Sequence, residues 1–150
     1  MQAQNKRKAP PLKAKAAGGA SKSGAMPTLQ EFISARNYTG ALTLLEFKLK
    51  CRDGEAKDLL LWIGYCAFHL GNFRRAEDAY RELLDAHGAG DEVHLFLAAC
   101  YFYQQDFEAA EKRVEMGPNN SLKNRLLFHI AHRTGDENKL MACHAKLRDN

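Results

Sequence analysis

Long apolar runs are missing from this chain of 150 residues. No stretch approaches the roughly 20 consecutive apolar residues that a membrane-spanning helix needs. The first residues, Met-Gln-Ala-Gln-Asn, also lack the apolar core of a secretory signal peptide. The sequence therefore predicts neither a membrane span nor a secretory signal.

Closely spaced cysteine pairs are missing as well. The four cysteines, Cys51, Cys66, Cys100 and Cys143, are far apart, and none forms the short pairs typical of zinc or disulfide sites. Cys66 and Cys100 lie in apolar helical segments, where an unpaired cysteine behaves as a small hydrophobic residue. This pattern predicts a reducing compartment of the cytosolic type.

Acidic residues are missing from residues 1–27, which carry a charge of +6. The remainder has 22 − 6 = 16 basic residues against 18 acidic ones, a net charge of −2. A segment this rich in Lys, Ala, Gly, Pro and Ser is predicted to be a disordered basic tail. The tail either keeps the chain soluble or attracts RNA, acidic proteins or lipid headgroups. Its basic residues are Lys6, Arg7, Lys8, Lys13, Lys15 and Lys22.

What is present is a repeat with a period of 34 residues. Phe73 and Ala76 recur as Phe107 and Ala110, and Ile63-Gly64 recurs as Leu97-Ala98. An aromatic residue followed three positions later by a small one, at this period, is typical of the tetratricopeptide repeat. Such helix–turn–helix units stack into solenoids that bind other proteins.

The chain is expected to be all-α, a right-handed solenoid of four helix–turn–helix pairs over residues 28–150. Thr28 and Glu31 form a capping box for the first helix. Each pair has Asn or Asp where its second helix begins, at Asn37, Asn72, Asp106 and Asp136, and these side chains cap helix N-termini. The last spacing is short, which predicts a second helix of the third pair that ends early, at Gly117-Pro118. The predicted pairs are about 28–51, 58–87, 91–117 and 121–148.

Several residues are predicted to hold this repeat together. Small residues let paired helices approach closely, aromatic residues fill the hairpin core, and glycine suits the left-handed residue that ends a helix. This structural set is Ala41, Gly64, Gly71, Phe73, Ala76, Phe107, Ala110 and Gly135.

No pattern of residues in the sequence forms a catalytic site. His129 and His132 precede Cys143 and His144, which together resemble a zinc set, but no acidic ligand or base completes it. The sequence therefore predicts no enzyme, no metal and no cofactor.

First-helix positions that line the concave groove of such an array are aromatic here, with a basic end. Chaperone-binding repeats carry Lys and Asn at these positions, so a chaperone adaptor is not expected. The pattern favours an amphipathic helix with acidic residues as partner; alternatively, the same aromatics pack within the array. The predicted groove residues are Leu61, Tyr65, Phe68, Leu95, Phe102, Tyr103, His129 and Arg133.

Four segments resemble the tetratricopeptide subunit of intraflagellar transport complex B, the dye-filling-defective family. They are GALTLLEFK (40–48), LWIGYCAFHLG (61–71), NRLLFHIAH (124–132) and DENKLM (136–141). The resemblance runs from about Leu29 to the end, and family members continue through further repeats. It implies a non-enzymatic scaffold for assembling cilia and flagella, here as the N-terminal portion of a longer array.

The resemblance also implies partners and a location. The partners would be other complex B subunits and ciliary cargo. The location would be the cilium or flagellum and basal body region, with a cytoplasmic pool. Two alternatives stay open: a tetratricopeptide adaptor outside cilia, and an RNA-binding protein that uses the basic tail. The tail lacks aromatic residues on which single-stranded bases stack, so nucleic acid is the weaker alternative.

Overall fold

The computed structural model describes residues 27–149, and every regular element in that range is an α-helix. The all-α class predicted from the sequence is therefore confirmed for the described residues, whereas the predicted tail over residues 1–26 lies outside them. The helices are α1 Leu29–Ser34, α2 Tyr38–Lys50, α3 Ala56–His69, α4 Phe73–Ala86, α5 Glu92–Tyr103, α6 Phe107–Val114, α7 Ser121–Thr134 and α8 Glu137–Asp149.

Every second helix of a pair begins with the predicted side-chain cap. Asn37 accepts a hydrogen bond from the backbone N–H of Gly40 at 2.9 Å, and Asn72 accepts one from Arg75 at 3.2 Å. Asp106 and Asp136 do the same for the residues three positions on, at 3.2 and 3.1 Å. Each cap satisfies an N–H group that the first helical turn leaves unpaired. The predicted caps are thus confirmed.

The residue before each cap has a left-handed backbone. At Gly71 and Gly135 φ is 83° and 77°, but the same position is Arg36 in the first pair, with φ 58°, and Gln105 in the third, with φ 67°. Each cap residue's N–H then bonds to the carbonyl five residues back, for example Asn72 to Ala67 at 2.9 Å. All four hairpins therefore close with the same Schellman-type turn, and two of them place a side chain where glycine is preferred.

Gln105→Gly is expected to raise the free energy of unfolding by about 1 kcal/mol, because a left-handed conformation strains any residue with a Cβ. Gln104→Gly is the matched control. Gln104 has φ −90° and its side chain donates to the Cys100 carbonyl at 3.3 Å, so this change is expected to destabilise. Urea unfolding of both variants checks that Gln105→Gly raises the free energy of unfolding and that Gln104→Gly lowers it. Equal effects would show that the left-handed turn carries no strain.

The chain divides into two compact units at Ala79 and Tyr80, within α4. In the first unit α2 packs against α1 and α3. α3 is buried on most of its circumference, and Gly64 lies within that buried surface. Arg75 donates two hydrogen bonds to the Glu46 carboxylate, at 2.8 and 3.0 Å, which hold the pKa of Glu46 below its ordinary value. The core of this unit includes Ala41, Leu45, Leu60, Ile63, Cys66 and Ala76.

In the second unit α5 packs against α6 and α7, and α7 packs against α8. α6 has 8 residues where α4 has 14, and it ends at Val114, before the Gly117-Pro118 end predicted from the sequence. After Val114 the chain turns back at Gly117, whose backbone lies against the Leu95 side chain. Ala110, which the sequence analysis assigned to the small position of the repeat, is fully buried.

Candidate protein-binding surfaces

The first unit has a cluster of rings where α3 meets the start of α2. Tyr38 stacks on His69 with ring centres 4.9 Å apart and planes 15° apart. Tyr65 lies against the same histidine at 4.4 Å and against Trp62 at 5.4 Å. Tyr65 is half-buried and His69 is exposed, so the cluster reaches the surface of the unit. We call Tyr38, Tyr65 and His69 the first aromatic surface.

Leu61 and Phe68, also predicted for the groove, lie on the same helix and are half-buried. Phe68 packs edge-on against Phe73, the first residue of α4, at 5.2 Å and 72°. Phe73, which the sequence analysis assigned to the repeat structure, thus contacts the ring of Phe68 across the hairpin.

The second unit repeats this edge-on pair one period later. Phe102 packs against Phe107 at 5.5 Å and 65°, and also against Tyr103 at 5.3 Å. His129 of α7 lies 6.2 Å from Phe102. The guanidinium of Arg133 lies over Phe107 at 5.3 Å and over Phe102 at 5.9 Å, within the range of cation–π attraction.

The structure therefore brings four predicted groove residues together in the second unit. We call Phe102, Tyr103, His129 and Arg133 the second aromatic surface. Tyr103 has 55% of its side chain exposed, and His129 and Arg133 are exposed as well. The basic end expected from the sequence thus lies directly against the rings.

The assignment of Leu95 to the accessible groove is wrong. Its side chain is fully buried, so it cannot line an accessible groove. After α6 ends at Val114, the loop brings Gly117 against the Leu95 side chain and contributes to its burial. Leu95 belongs to the core of the second unit.

Tyr38 and His69 are surface residues that the sequence analysis missed, although the repeat contains the signal. Tyr38 follows the cap Asn37 as Phe73 follows Asn72, so it occupies the same repeat position as Phe73 and Phe107. His69 lies 34 residues before Tyr103, which was predicted. Aligning all repeat positions, and not only the apolar ones, would have found both.

The described residues contain neither a metal-ligand cluster nor a disulfide. Between residues 27 and 149 no three His, Cys, Asp or Glu side chains are grouped so that they could hold a metal ion. No disulfide joins the four cysteines, three of which are buried. Within the same range no helix is long and apolar enough to cross a membrane.

The repeated helix pairs, their common turn and their aromatic surfaces define a tetratricopeptide repeat protein, and the family model described as "Tetratricopeptide repeat" matches residues 29–90. A second model, "Intraflagellar transport protein 56", matches residues 60–150. The chain belongs to this intraflagellar transport protein 56 family.

A curated relative supports the same assignment. The "Intraflagellar transport protein 56 homolog" of Caenorhabditis elegans is 35% identical over 127 residues, which cover 83% of this chain. The match covers 22% of that protein, so the chain spans about a fifth of the length of its relative.

Proposed function

We propose that this chain is a non-enzymatic scaffold of the intraflagellar transport machinery, which supports the assembly of cilia and flagella by binding neighbouring subunits of complex B. Family membership supports the transport role. The observation that carries the binding role is the second aromatic surface, where the exposed Tyr103 ring and the Arg133 cation both contact the half-buried ring of Phe102. The proposed location is the cilium and the basal body region, with a cytoplasmic pool.

The second aromatic surface has the chemistry of a binding site for an amphipathic segment. Tyr103 offers a large apolar ring with little conformational entropy to lose, a common property of residues that dominate protein interfaces. Arg133 is already oriented over the rings of Phe102 and Phe107, and arginine pairs well with carboxylates. A partner segment with apolar residues beside an acidic one complements both groups.

We expect Tyr103→Ala with Arg133→Ala to reduce the capture of complex B subunits from a ciliated-cell lysate by tenfold or more, roughly the loss of one interface hot spot. Tagged chain 1–150 is the bait, and mass spectrometry with label-free quantitation identifies the subunits. Both residues are exposed, so the variant is expected to keep its fold, which circular dichroism checks.

Met141→Ala with His144→Ala is the matched control, since both residues are exposed on α8 and belong to neither aromatic surface. The control is expected to capture as much as the parent chain. A parallel Tyr65→Ala with His69→Ala variant tests the first aromatic surface. Capture that is unchanged in both aromatic variants would contradict the binding role of these surfaces, and absence of complex B subunits from every sample would contradict the proposed partner.

A further inference from the structure

A cleft in the second unit lies between α6, α7 and α8, away from the aromatic rings. Its volume is about 490 Å³. The floor is apolar and belongs mostly to α7, with Cys143 of α8 beside it. Ile130, Ala131 and Cys143 are buried, and Leu127 is half-buried. The floor residues of α7 are Leu127, Ile130, Ala131 and Thr134, the spacing of one helix face.

The two walls of the cleft differ in charge. The α6 wall has Glu111 and Glu115 one turn apart, with Lys112 beside them, and the α8 wall has Lys139 and Lys146. Lys139 donates to Glu111 at 2.5 Å, so this pair joins the walls at one point. Glu115 and Lys146 form no ion pair within residues 27–149, and both line the remaining length of the cleft.

We propose that this cleft binds an amphipathic α-helix of a partner protein, in which an apolar stripe is flanked by a basic row on one side and an acidic row on the other. The mostly apolar floor formed by α7 is complementary to an apolar stripe at positions i, i+3, i+4 and i+7 of a partner helix. The basic row faces Glu115 and the acidic row faces Lys146. Because the two walls have opposite charge, they also fix the direction in which the helix lies.

The chain's own N-terminal segment fits this cleft less well. Residues 1–26 contain six basic residues and no acidic one, so they would put like charges against Lys139 and Lys146. Like charges placed together across an interface are unfavourable. A helix of mixed charge removes that conflict.

The cleft and the second aromatic surface use different faces of α7. Successive residues of a helix are about 100° apart around its axis. The four cleft residues of α7 are therefore centred roughly 130° around the axis from His129 and Arg133. The cleft residues of α7 are not part of the second aromatic surface, so this inference does not depend on the function proposed for that surface.

The test uses three stapled helical peptides of about 15 residues, long enough to be helical, with one common leucine stripe. The first has one row of Lys and one of Glu, the second has two rows of Glu, and the third has two rows of Lys. Fluorescence anisotropy measures their affinity for the parent chain 1–150, for Glu115→Lys and for Lys146→Glu.

The parent chain is expected to bind the mixed peptide at least about fivefold more tightly than either other peptide, as expected for a few rim charge pairs. Glu115→Lys makes both walls basic, and its preference is expected to move to the peptide with two Glu rows. Lys146→Glu leaves Lys139, which is paired with Glu111, as the one basic residue of the α8 wall and puts a carboxylate across the cleft from Glu115. Its preference is expected to move to the peptide with two Lys rows. These differences are expected to shrink at high salt.

Two controls separate the cleft from other sites. The double variant Glu137→Lys with Arg148→Glu exchanges charges on α8 residues outside the cleft and is expected to bind like the parent chain. Ala142→Gln fills the cleft at an exposed lining position and is expected to weaken all peptides at least tenfold. The proposal is wrong if no peptide binds, or if the order of peptide affinities stays the same when the wall charges are changed. It is also wrong if Ala142→Gln binds the peptides as tightly as the parent chain does. It is equally wrong if deleting residues 1–26 strengthens binding of every peptide, since the tail would then occupy the cleft.

Discussion

Gly117→Ala is expected to lower the free energy of unfolding by about 1–3 kcal/mol, the usual cost of an added methyl group in a packed core. A Cβ built on Gly117 would lie 2.5 Å from Cδ2 and 2.6 Å from Cγ of Leu95. Leu95 is fully buried, so its side chain cannot move into solvent to relieve the clash. Either the loop after α6 shifts away or Leu95 leaves its preferred rotamer.

A double-mutant cycle shows whether Leu95 is the cause. Leu95→Ala alone is expected to cost about 2–5 kcal/mol, because it leaves a cavity. With Leu95→Ala present, Gly117→Ala is expected to cost less or to stabilise, since the new methyl group enters that cavity. Urea unfolding of the four proteins measures the coupling.

Gly90→Ala is the control for the general effect of replacing a loop glycine. Nothing lies within 4 Å of a Cβ built on Gly90, and its φ is not in the left-handed region. Its expected effect is therefore small or stabilising. A Gly117→Ala variant as stable as the parent chain, or purely additive effects in the cycle, would disprove the close packing of this loop on Leu95.

Cys66 is expected to react with thiol reagents at least roughly a thousandfold more slowly than Cys51 at pH 8, because only the thiolate is nucleophilic. Burial of the thiol raises the pKa of Cys66 to about 12. Cys51 is exposed at the end of α2. Iodoacetamide labelling followed by peptide mass spectrometry gives the rate at each cysteine in one experiment, and labelling in urea supplies the unprotected reference.

The same burial predicts a stability change at alkaline pH. The pKa of Cys66 is higher in the folded chain than in the unfolded one, so above about pH 8.5 the unfolded state loses this proton first. The free energy of unfolding is therefore expected to fall as the pH rises from 8.5 towards 12. Cys66→Ala is expected to reduce this slope. Rapid labelling of Cys66 in the native chain would contradict its place in the core.

Local features of this fold were predictable from the sequence, and features that depend on several elements were not. The four capping residues accept hydrogen bonds from backbone groups three residues away, so their role can be predicted from a few neighbouring residues. They are Asn37, Asn72, Asp106 and Asp136. Leu95 is the opposite case. Its burial depends on a loop more than twenty residues later in the chain, and no pattern around Leu95 itself reports that contact.

The binding surfaces show the same division. The aromatic positions of α3 and α5 follow from the repeat period, and the structure brings Phe102, Tyr103, His129 and Arg133 together. The cleft escaped the sequence analysis because its walls come from α6 and α8 and its floor from α7. Nothing in the sequence of α6 or α8 singles out Glu115 or Lys146. They line one cleft only because α6, α7 and α8 pack together.

The common turn that closes each hairpin has a consequence for how the chain folds. Its hydrogen bonds join residues no more than five positions apart, as in the bond from Asn37 to the Phe32 carbonyl. Each helix pair can therefore close without waiting for distant parts of the chain. Proteins dominated by such short-range contacts have low contact order and fold fast. We expect the pairs to form one after another as the chain leaves the ribosome, each completed hairpin offering a template for the next.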